Sequence, residues 1–271
     1  MSRSMGRWSR SFADSDHFSS KISCATLCAR DDLTVRVQRS FAFIDLSGFT
    51  ALTQSLGDDH AVGLLEEFRS VVRKTCSRRA VRIAKWLGDG AMLVGVEFTP
   101  LVAASLEIGN LADRVPRSTS VRCGISAGPV ILLEGDDYIG HSVNVAARLC
   151  DMAGPGTVLA TTEVVPYLPA WATVADRQLT DIKGLDGPIE VASLSLSTGV
   201  EGADQDPVCG IELSADTATA VRNGTAGETI LFCSDSCLET WEDRRDVGAG
   251  AVSDDDPSVG AFRIPTANQG P

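Results

Sequence analysis

Asp45 closes a short apolar run that begins at Phe41, and Leu46-Ser47-Gly48-Phe49-Thr50 follows at once. A carboxylate at a strand end, beside a glycine-containing turn into a helix, is placed to hold a hard cation. The turn amides around Gly48, Phe49 and Thr50 then face phosphate oxygens. Asp89 stands in Gly88-Asp89-Gly90 between two apolar runs, Val81 to Trp86 and Ala91 to Val96. Asp-Gly between such runs predicts a hairpin with Asp89 at its tip. If the hairpin neighbours the first strand, both carboxylates meet at one sheet edge. Two Mg2+ or Mn2+ ions held there activate an attacking hydroxyl and stabilise a leaving phosphate. Taken alone, Asp45 also reads as a helix-cap aspartate, and Asp89 reads more readily as an ordinary turn residue.

Asn144 and Arg148 lie four apart in a stretch, Val143 to Met152, that reads as a short helix, so they project from one face. An arginine fork is planar and always charged, which suits a crowded phosphate. Val143, Val145, Ala146 and Leu149 around the pair predict a partly enclosed face.

The elements that must position these side chains follow from periodicity. Apolar residues at Leu52, Leu56, Leu64, Leu65, Phe68, Val71 and Val72 recur at three and four, predicting one helix from Thr50 to about Lys74. Thr99-Pro100 opens a second helix, to about Arg114. Val121 to Ala127 and Val130 to Leu133 read as strands around Gly128-Pro129. Thr157 to Ala160, Thr173 to Leu179 and Ile189 to Leu196 are further strands. Strands and helices alternate with hairpins among them, so the class is α+β, an antiparallel-rich sheet with helices on one face.

The 271 residues are 44% apolar and carry a net charge of −12, with a pI near 4.7. A core is affordable, and a nucleic-acid groove or an anionic membrane surface is a poor partner for so acidic a chain. No apolar stretch reaches the roughly 18–20 residues that span a bilayer, and no export signal follows the Arg/Ser-rich start. The expected compartment is cytoplasmic. Cys76, Cys123 and Cys150 sit in apolar patterns as buried thiols, and Cys24 and Cys28 fall in the polar leader. A reducing compartment fits this usage.

Three stretches now carry a resemblance. Phe43-Ile44-Asp45-Leu46-Ser47-Gly48-Phe49-Thr50 resembles the first signature of class III adenylate/guanylate cyclase catalytic domains. Lys85-Trp86-Leu87-Gly88-Asp89-Gly90 resembles their second, and Asp137-Tyr138-Ile139-Gly140-His141-Ser142-Val143-Asn144-Val145-Ala146-Ala147-Arg148 their third. Leu179-Thr180-Asp181-Ile182-Lys183-Gly184 is similar to the closing strand region. The resemblance covers roughly Gln38 to Leu196 and implies a ferredoxin-like sheet with helices. It implies that Asp45 and Asp89 bind two metal ions, Lys85 and Asp137 contact the purine, and Asn144 and Arg148 orient the ribose and neutralise the transition state. The implied reaction is attack of the ribose 3′-hydroxyl on the α-phosphate, releasing pyrophosphate, in a phosphorus-oxygen lyase. Positioning and charge neutralisation dominate such chemistry.

The base follows from donors and acceptors. Adenine offers an acceptor at N1 and a donor at its exocyclic amine; Lys85 only donates and an ionised Asp137 only accepts. Guanine reverses both groups, and such buried mismatches discriminate by about 10⁴ or more. The expected substrate is therefore ATP, giving cyclic AMP, with guanylate cyclase as the alternative. A second alternative is a non-catalytic sensor that keeps the fold for pairing. The family's head-to-tail dimer implies a homodimer with two composite sites, one chain giving Asp45 and Asp89 and the other the remaining four residues.

A Gly/Asp/Ser/Thr stretch at 197–205 reads as a linker. Asp206-Pro207-Val208-Cys209-Gly210 and Ile230-Leu231-Phe232-Cys233-Ser234-Asp235-Ser236-Cys237 resemble the two halves of YHS domains, small modules related to metal-binding TRASH-type domains. Three thiolates suit Zn2+ or another thiophilic ion such as Cu+, with Asp206, Asp235 or water as fourth ligand. The other reading is three buried thiols in a docked module. The expected organisation is a disordered leader at 1–37, a catalytic domain at 38–196, the linker, a YHS-like module at 206–246 and a disordered acidic tail at 247–271.

Overall fold

A computed structural model describes residues 36–112, 120–133, 137–197, 203–224 and 227–250. The chain runs β1 (Arg36–Ser47), α1 (Phe49–Leu56), α2 (Asp58–Arg78), β2 (Arg82–Leu87), β3 (Gly90–Gly95), α3 (Phe98–Ala112), β4 (Ser120–Leu132), β5 (Tyr138–Ile139) and α4 (His141–Met152). It continues through β6 (Val158–Thr161), a 3-10 turn (Thr162–Tyr167), β7 (Ala172–Thr180) and β8 (Ile189–Leu196). Two short ladders follow, β9 (Asp204–Gln205) with β10 (Glu212–Leu213) and β11 (Ala220–Asn223) with β12 (Thr229–Phe232), and then α5 (Asp235–Gly250).

The large sheet has the order β2-β3-β1-β4-β6-β8-β7, with β5 added to β4. The expected α+β class with an antiparallel-rich sheet holds. The β4–β6 pair is parallel and is joined by α4. Alternation along β1 divides the core. Ala42, Ile44 and Leu46 face a large cluster shared with α2 (Phe68, Val72), α3 (Leu101, Ile108) and the cysteine segment (Ile211, Phe232). Phe41 and Phe43 face the other way, toward Met92, Val94 and Ala146.

Helices therefore cover both faces rather than the one expected. Val145 and Leu149 of α4 pack with Leu159 and Val191 on the face opposite α2 and α3. Helical periodicity identifies an apolar stripe but not which side of a sheet it meets. Gly124 makes this packing possible. A Cβ there would lie 2.2 Å from the Cys150 amide nitrogen and 2.3 Å from the Ala146 carbonyl, so only glycine lets α4 lie directly on β4.

Other differences have local causes. The single helix expected from Thr50 is two, because Gly57 adopts φ 83° and ψ 168°, which stops α1 and restarts the chain as α2. Asp58 and Asp59 then favour the new N-terminus. The two strands expected around Gly128-Pro129 are one continuous β4. Pro129 falls where the second edge of β4 has no partner, since pairing with β6 ends at Ile125 and pairing with β5 starts at Ile131. Its missing N–H thus breaks no ladder on that edge. The expected leader and tail, with Cys24 and Cys28, lie outside the described residues except at their inner ends, Arg36–Val37 in β1 and 247–250 in α5.

Candidate active site

β1 carries Asp45 between two partners, Gly90 of β3 and Arg122 of β4. The β2–β3 turn sets Asp89 beside it. Partial burial raises the Asp89 carboxyl above its ordinary value, and the neighbouring Asp45 charge adds to the rise. The two carboxylates expected to meet therefore sense each other, as a pair that shares one cation would. Arg122 binds Asp45 from the opposite side, with Nε at 2.8 Å and Nη2 at 2.5 Å from Oδ2. A divalent ion fits here chemically. Two hard oxygen donors converge, and Gly48, in left-handed conformation, turns the chain straight into the free N–H groups of α1.

Arg122 was not among the residues expected from the sequence. It stands in an apolar run, Val121-Arg122-Cys123-Gly124-Ile125, where a lone cation on a core strand is the available signal. Only the β1–β4 register places it opposite Asp45.

Lys85 projects from β2, and Asp137 precedes β5; their side chains form an ion pair with each about half exposed. Residues 52 positions apart thus converge as a donor beside an acceptor. Asn144 and Arg148 lie on the outer face of α4, both exposed. The expected partial enclosure does not hold within one chain. Ser142, Val145, Ala146 and Leu149 face the sheet, so Asn144 and Arg148 are carried away from it. Arg148 reaches only Asp151, at 3.4 Å. Gly48 and Thr50 are exposed and Phe49 is partly buried against the main core.

The cysteine segment forms a second cluster. Asp206, Cys209, Cys233 and Cys237 are all buried, with ligand atoms within 4.8 Å of one another. Asp235 is exposed at the start of α5, so of the two carboxylates considered as a fourth ligand Asp206 is the one in place. Its Oδ1 accepts the Val208 and Cys209 amides and its Oδ2 the Cys233 amide, leaving lone-pair capacity for one more bond. Three sulfurs and one oxygen fit a tetrahedral thiophilic ion. Hydrogen bonds with Cys209 and Cys233 lower the Cys237 thiol, and hydrogen bonds with Cys233 and Cys237 raise that of Cys209.

This cluster rests against the end of α2 and, through it, on α3. Arg79 donates from Nη2 to Cys233 Sγ at 3.0 Å and from Nε to Glu107 Oε2 at 2.7 Å. Glu107, fully buried in α3, also holds Arg78 and accepts from Thr75 at 3.1 Å. Trp171 donates to the Cys233 carbonyl at 3.3 Å and lies under the Arg79 guanidinium.

The chain is similar to known nucleotide cyclase domains. The model of the Adenylate and Guanylate cyclase catalytic domain matches residues 36–195. An uncharacterized Mycobacterium tuberculosis protein, Rv2212, is 35% identical over 173 residues, which is 64% of this chain and 45% of that protein. The pH-sensitive adenylate cyclase MT1302 of the same species is 29% identical over 177 residues, 62% of this chain and 44% of its own. The chain thus spans about half the length of the curated relatives it matches. Among solved structures, the adenylyl cyclase CyaB of P. aeruginosa superposes with a TM-score of 0.54 at 23% identity, covering 61% of this chain and 97% of that one. The guanylyl cyclase Cya2 gives 0.55 at 17%, over 62% and 96%. Both share the fold. With more than half its length matched and the acidic pair seated where β1 meets the hairpin, this chain belongs to the adenylate and guanylate cyclase catalytic-domain family.

Proposed function

We propose that the protein is an adenylate cyclase converting ATP to 3′,5′-cyclic AMP and pyrophosphate, acting in cytoplasmic cyclic-nucleotide signalling as a homodimer. The observation that carries the choice of base is the juxtaposed Lys85 and Asp137. One donates and the other accepts, in the order that adenine N1 and its exocyclic amine require. Their ion pair is half exposed, so opening it to admit a base costs about 0–1 kcal/mol. Guanine would meet donor with donor and acceptor with acceptor.

In this reading Asp45 and Asp89 hold two Mg2+ or Mn2+ ions, and bound ions supply the charge that acidifies the 3′-hydroxyl and neutralises the departing pyrophosphate. The N–H groups after Gly48 receive phosphate oxygens, and Phe49 and Thr50 frame that turn. Asn144 orients the ribose so that its 3′-oxygen lies in line with the bond from the α-phosphorus to the leaving oxygen. Arg148 neutralises charge on the α-phosphate as the new P–O bond forms and the old one breaks.

Asp45 and Asp89 lie together, Lys85 and Asp137 lie together, and Asn144 and Arg148 stand exposed on the outer face of α4. That separation favours a composite site between two copies. The division into a catalytic domain at 38–196 and a YHS-like module at 206–246, with Zn2+ or another thiophilic ion on Cys209, Cys233 and Cys237, belongs to the same proposal. Membrane attachment forms no part of it, and no helix among the described residues is long and apolar enough to cross a bilayer.

The test is cyclic-nucleotide formation from ATP and from GTP with Mn2+, by wild type and Asp45→Ala. ATP should be turned over in preference and Asp45→Ala should be inactive. Mixing Asp45→Ala with Arg148→Ala should restore activity through one intact site per mixed dimer. An inactive mixture of folded, dimeric chains sinks the composite site, and a preference for GTP sinks the adenylate reading.

A further inference from the structure

β4 and β6 are the one parallel pair among the described strands, and α4 is their crossover. In open parallel sheets the carboxyl ends of the strands, beside the N-terminus of the connecting helix, form a ligand-binding crevice, and this one parallel pair reproduces that corner. Here that position is a cleft of about 340 Å³. Its floor is the end of β4 at Ser126–Pro129, Thr161 at the end of β6, and the first turn of α4. Gly140 precedes α4 and offers no side-chain cap, so the first N–H groups lack that partner.

Two buried side chains on this floor point to a ligand. Ser142 and Thr161 are 4% and 5% exposed, and neither hydroxyl has a hydrogen-bond partner among the described residues. A buried hydroxyl left unpaired costs about 1–3 kcal/mol. Both residues line the cleft, so rotation of either hydroxyl toward it offers a donor to an acceptor bound there.

The rim selects the ligand class. Arg36 and His141 stand on it with Glu163 and Glu190, all exposed and none in an ion pair within the described chain. A simple anion would suit the helix N-terminus and Arg36 but would meet two carboxylates. A simple cation would suit the carboxylates but oppose the helix dipole. A molecule carrying both charges satisfies each side. Val145 and Ile189 supply an apolar wall between them.

We infer that this cleft binds a zwitterion of the α-amino-acid class. The carboxylate takes the α4 amides and the hydroxyls of Ser142 and Thr161. The ammonium group lies against Glu163 and Glu190, and a modest apolar side chain lies on Val145 and Ile189. The site is separate from the catalytic residues, because Ser142 and Val145 line the sheet-facing side of α4 while Asn144 and Arg148 lie on its exposed side. The inference does not depend on which nucleotide the protein cyclises.

The test uses the full chain and the twenty protein amino acids as probes, with acetate and methylammonium as the two half-ligands. Thermal melting and calorimetric titration are read at millimolar concentration. At least one apolar amino acid should bind saturably and raise the melting temperature, and neither half-ligand should match it. Ser142→Ala with Thr161→Val should weaken binding about tenfold or more, as loss of hydrogen bonds to a charged group requires. Glu190→Gln, a surface change that leaves folding intact, should weaken it as well and carries the test if the double variant does not fold. Absence of binding by every amino acid overturns the inference. So does acetate binding as well as the best amino acid, or unchanged affinity in Glu190→Gln.

Discussion

Glu107 is the acid on which the interior charge of this protein turns. Its side chain is 0% exposed, and the guanidinium-bearing side chains it holds are 11% (Arg78) and 4% (Arg79) exposed. Glu107→Ala would leave two buried cations facing one another, with the Cys233 sulfur as the remaining soft acceptor of Arg79. Breaking a buried ion pair by removing one partner costs about 3–5 kcal/mol, because the surviving charge stays desolvated. For a folded unit of this size each kcal/mol lowers the melting temperature by about 2–4 °C, so a fall of about 6–20 °C is expected. Urea unfolding followed by circular dichroism measures the free energy, and a thermal melt measures the shift. A second readout is the rate at which a thiol reagent labels the chain, which should rise as Arg79 loses its anchor beside the sulfurs. Replacing Arg78, Arg79 and Glu107 together by Leu, Met and Leu should recover most of the loss, since no charge then remains to be desolvated. Stability of Glu107→Ala within about 1 kcal/mol of wild type would refute the reasoning; it would mean that both guanidinium groups escape to water, Arg78 through the cleft it lines with Arg244 and Arg79 through the one it lines with Trp171.

Three other outcomes follow from contacts nearer the sites. Lys85→Ala and Asp137→Ala should each lower the ratio of kcat/KM for ATP over GTP by about tenfold or more, measured with both nucleotides in Mn2+, since each removes one matched contact at the base edge. Arg69 donates to the Gly88 carbonyl at 2.9 Å and, with Arg73, lies over the Trp86 ring, bracing the turn that carries Asp89. Arg69→Ala should therefore raise the Mn2+ concentration for half-maximal activity several-fold, with Arg69→Lys restoring part of it; an unchanged metal requirement would leave the brace without a catalytic role. Zn2+ titrated against a competing chelator should bind at one equivalent per chain, and Cys233→Ser should abolish it; wild type with no such site would make the three cysteines buried thiols only. If metal or oxidation at the module regulates catalysis, Cys233→Ser should also remove the dependence of activity on both.

The local parts of the candidate site were readable because its residues sit in short segments. Asp45 before Gly48, Asp89 in its Asp-Gly turn, and Asn144 with Arg148 each carry their own flanking pattern. The two ends of Lys85–Asp137 were legible separately, and the fold brings them together across 52 residues. What stayed hidden depends on register or on contacts distant in the chain. Arg122 faces Asp45 only because β1 and β4 pair in one register out of several. Arg79 meets Cys233 across 154 residues, which no window of local periodicity spans. Glu107 left a trace, as a lone acid within Leu101-Val102-Ala103-Ala104-Ser105-Leu106-Glu107-Ile108. The break at Gly57 was masked because the apolar spacing of Leu52 and Leu56 runs on into α2 as though the helix continued.

These hidden contacts share one electrostatic logic. A chain of net charge −12 places its cations where acids or sulfurs must otherwise sit uncompensated. Arg122 occupies one side of Asp45, so a metal ion entering from the Asp89 side finds one carboxylate already partly neutralised and the other with its proton affinity raised. In the proposed site an ion would gain from the more basic Asp89, while Arg122 holds Asp45 in place. At the cysteine cluster Arg79 does the same for sulfur, and Glu107 stops that arginine from being an uncompensated charge in its turn. Asp45 and the Cys233 sulfur thus each have a guanidinium beside them. Behind Asp45 it comes from a neighbouring strand, and behind Cys233 from the end of α2. That second arrangement places the sulfur cluster at the end of the helix whose Arg69 donates to the Gly88 carbonyl beside Asp89.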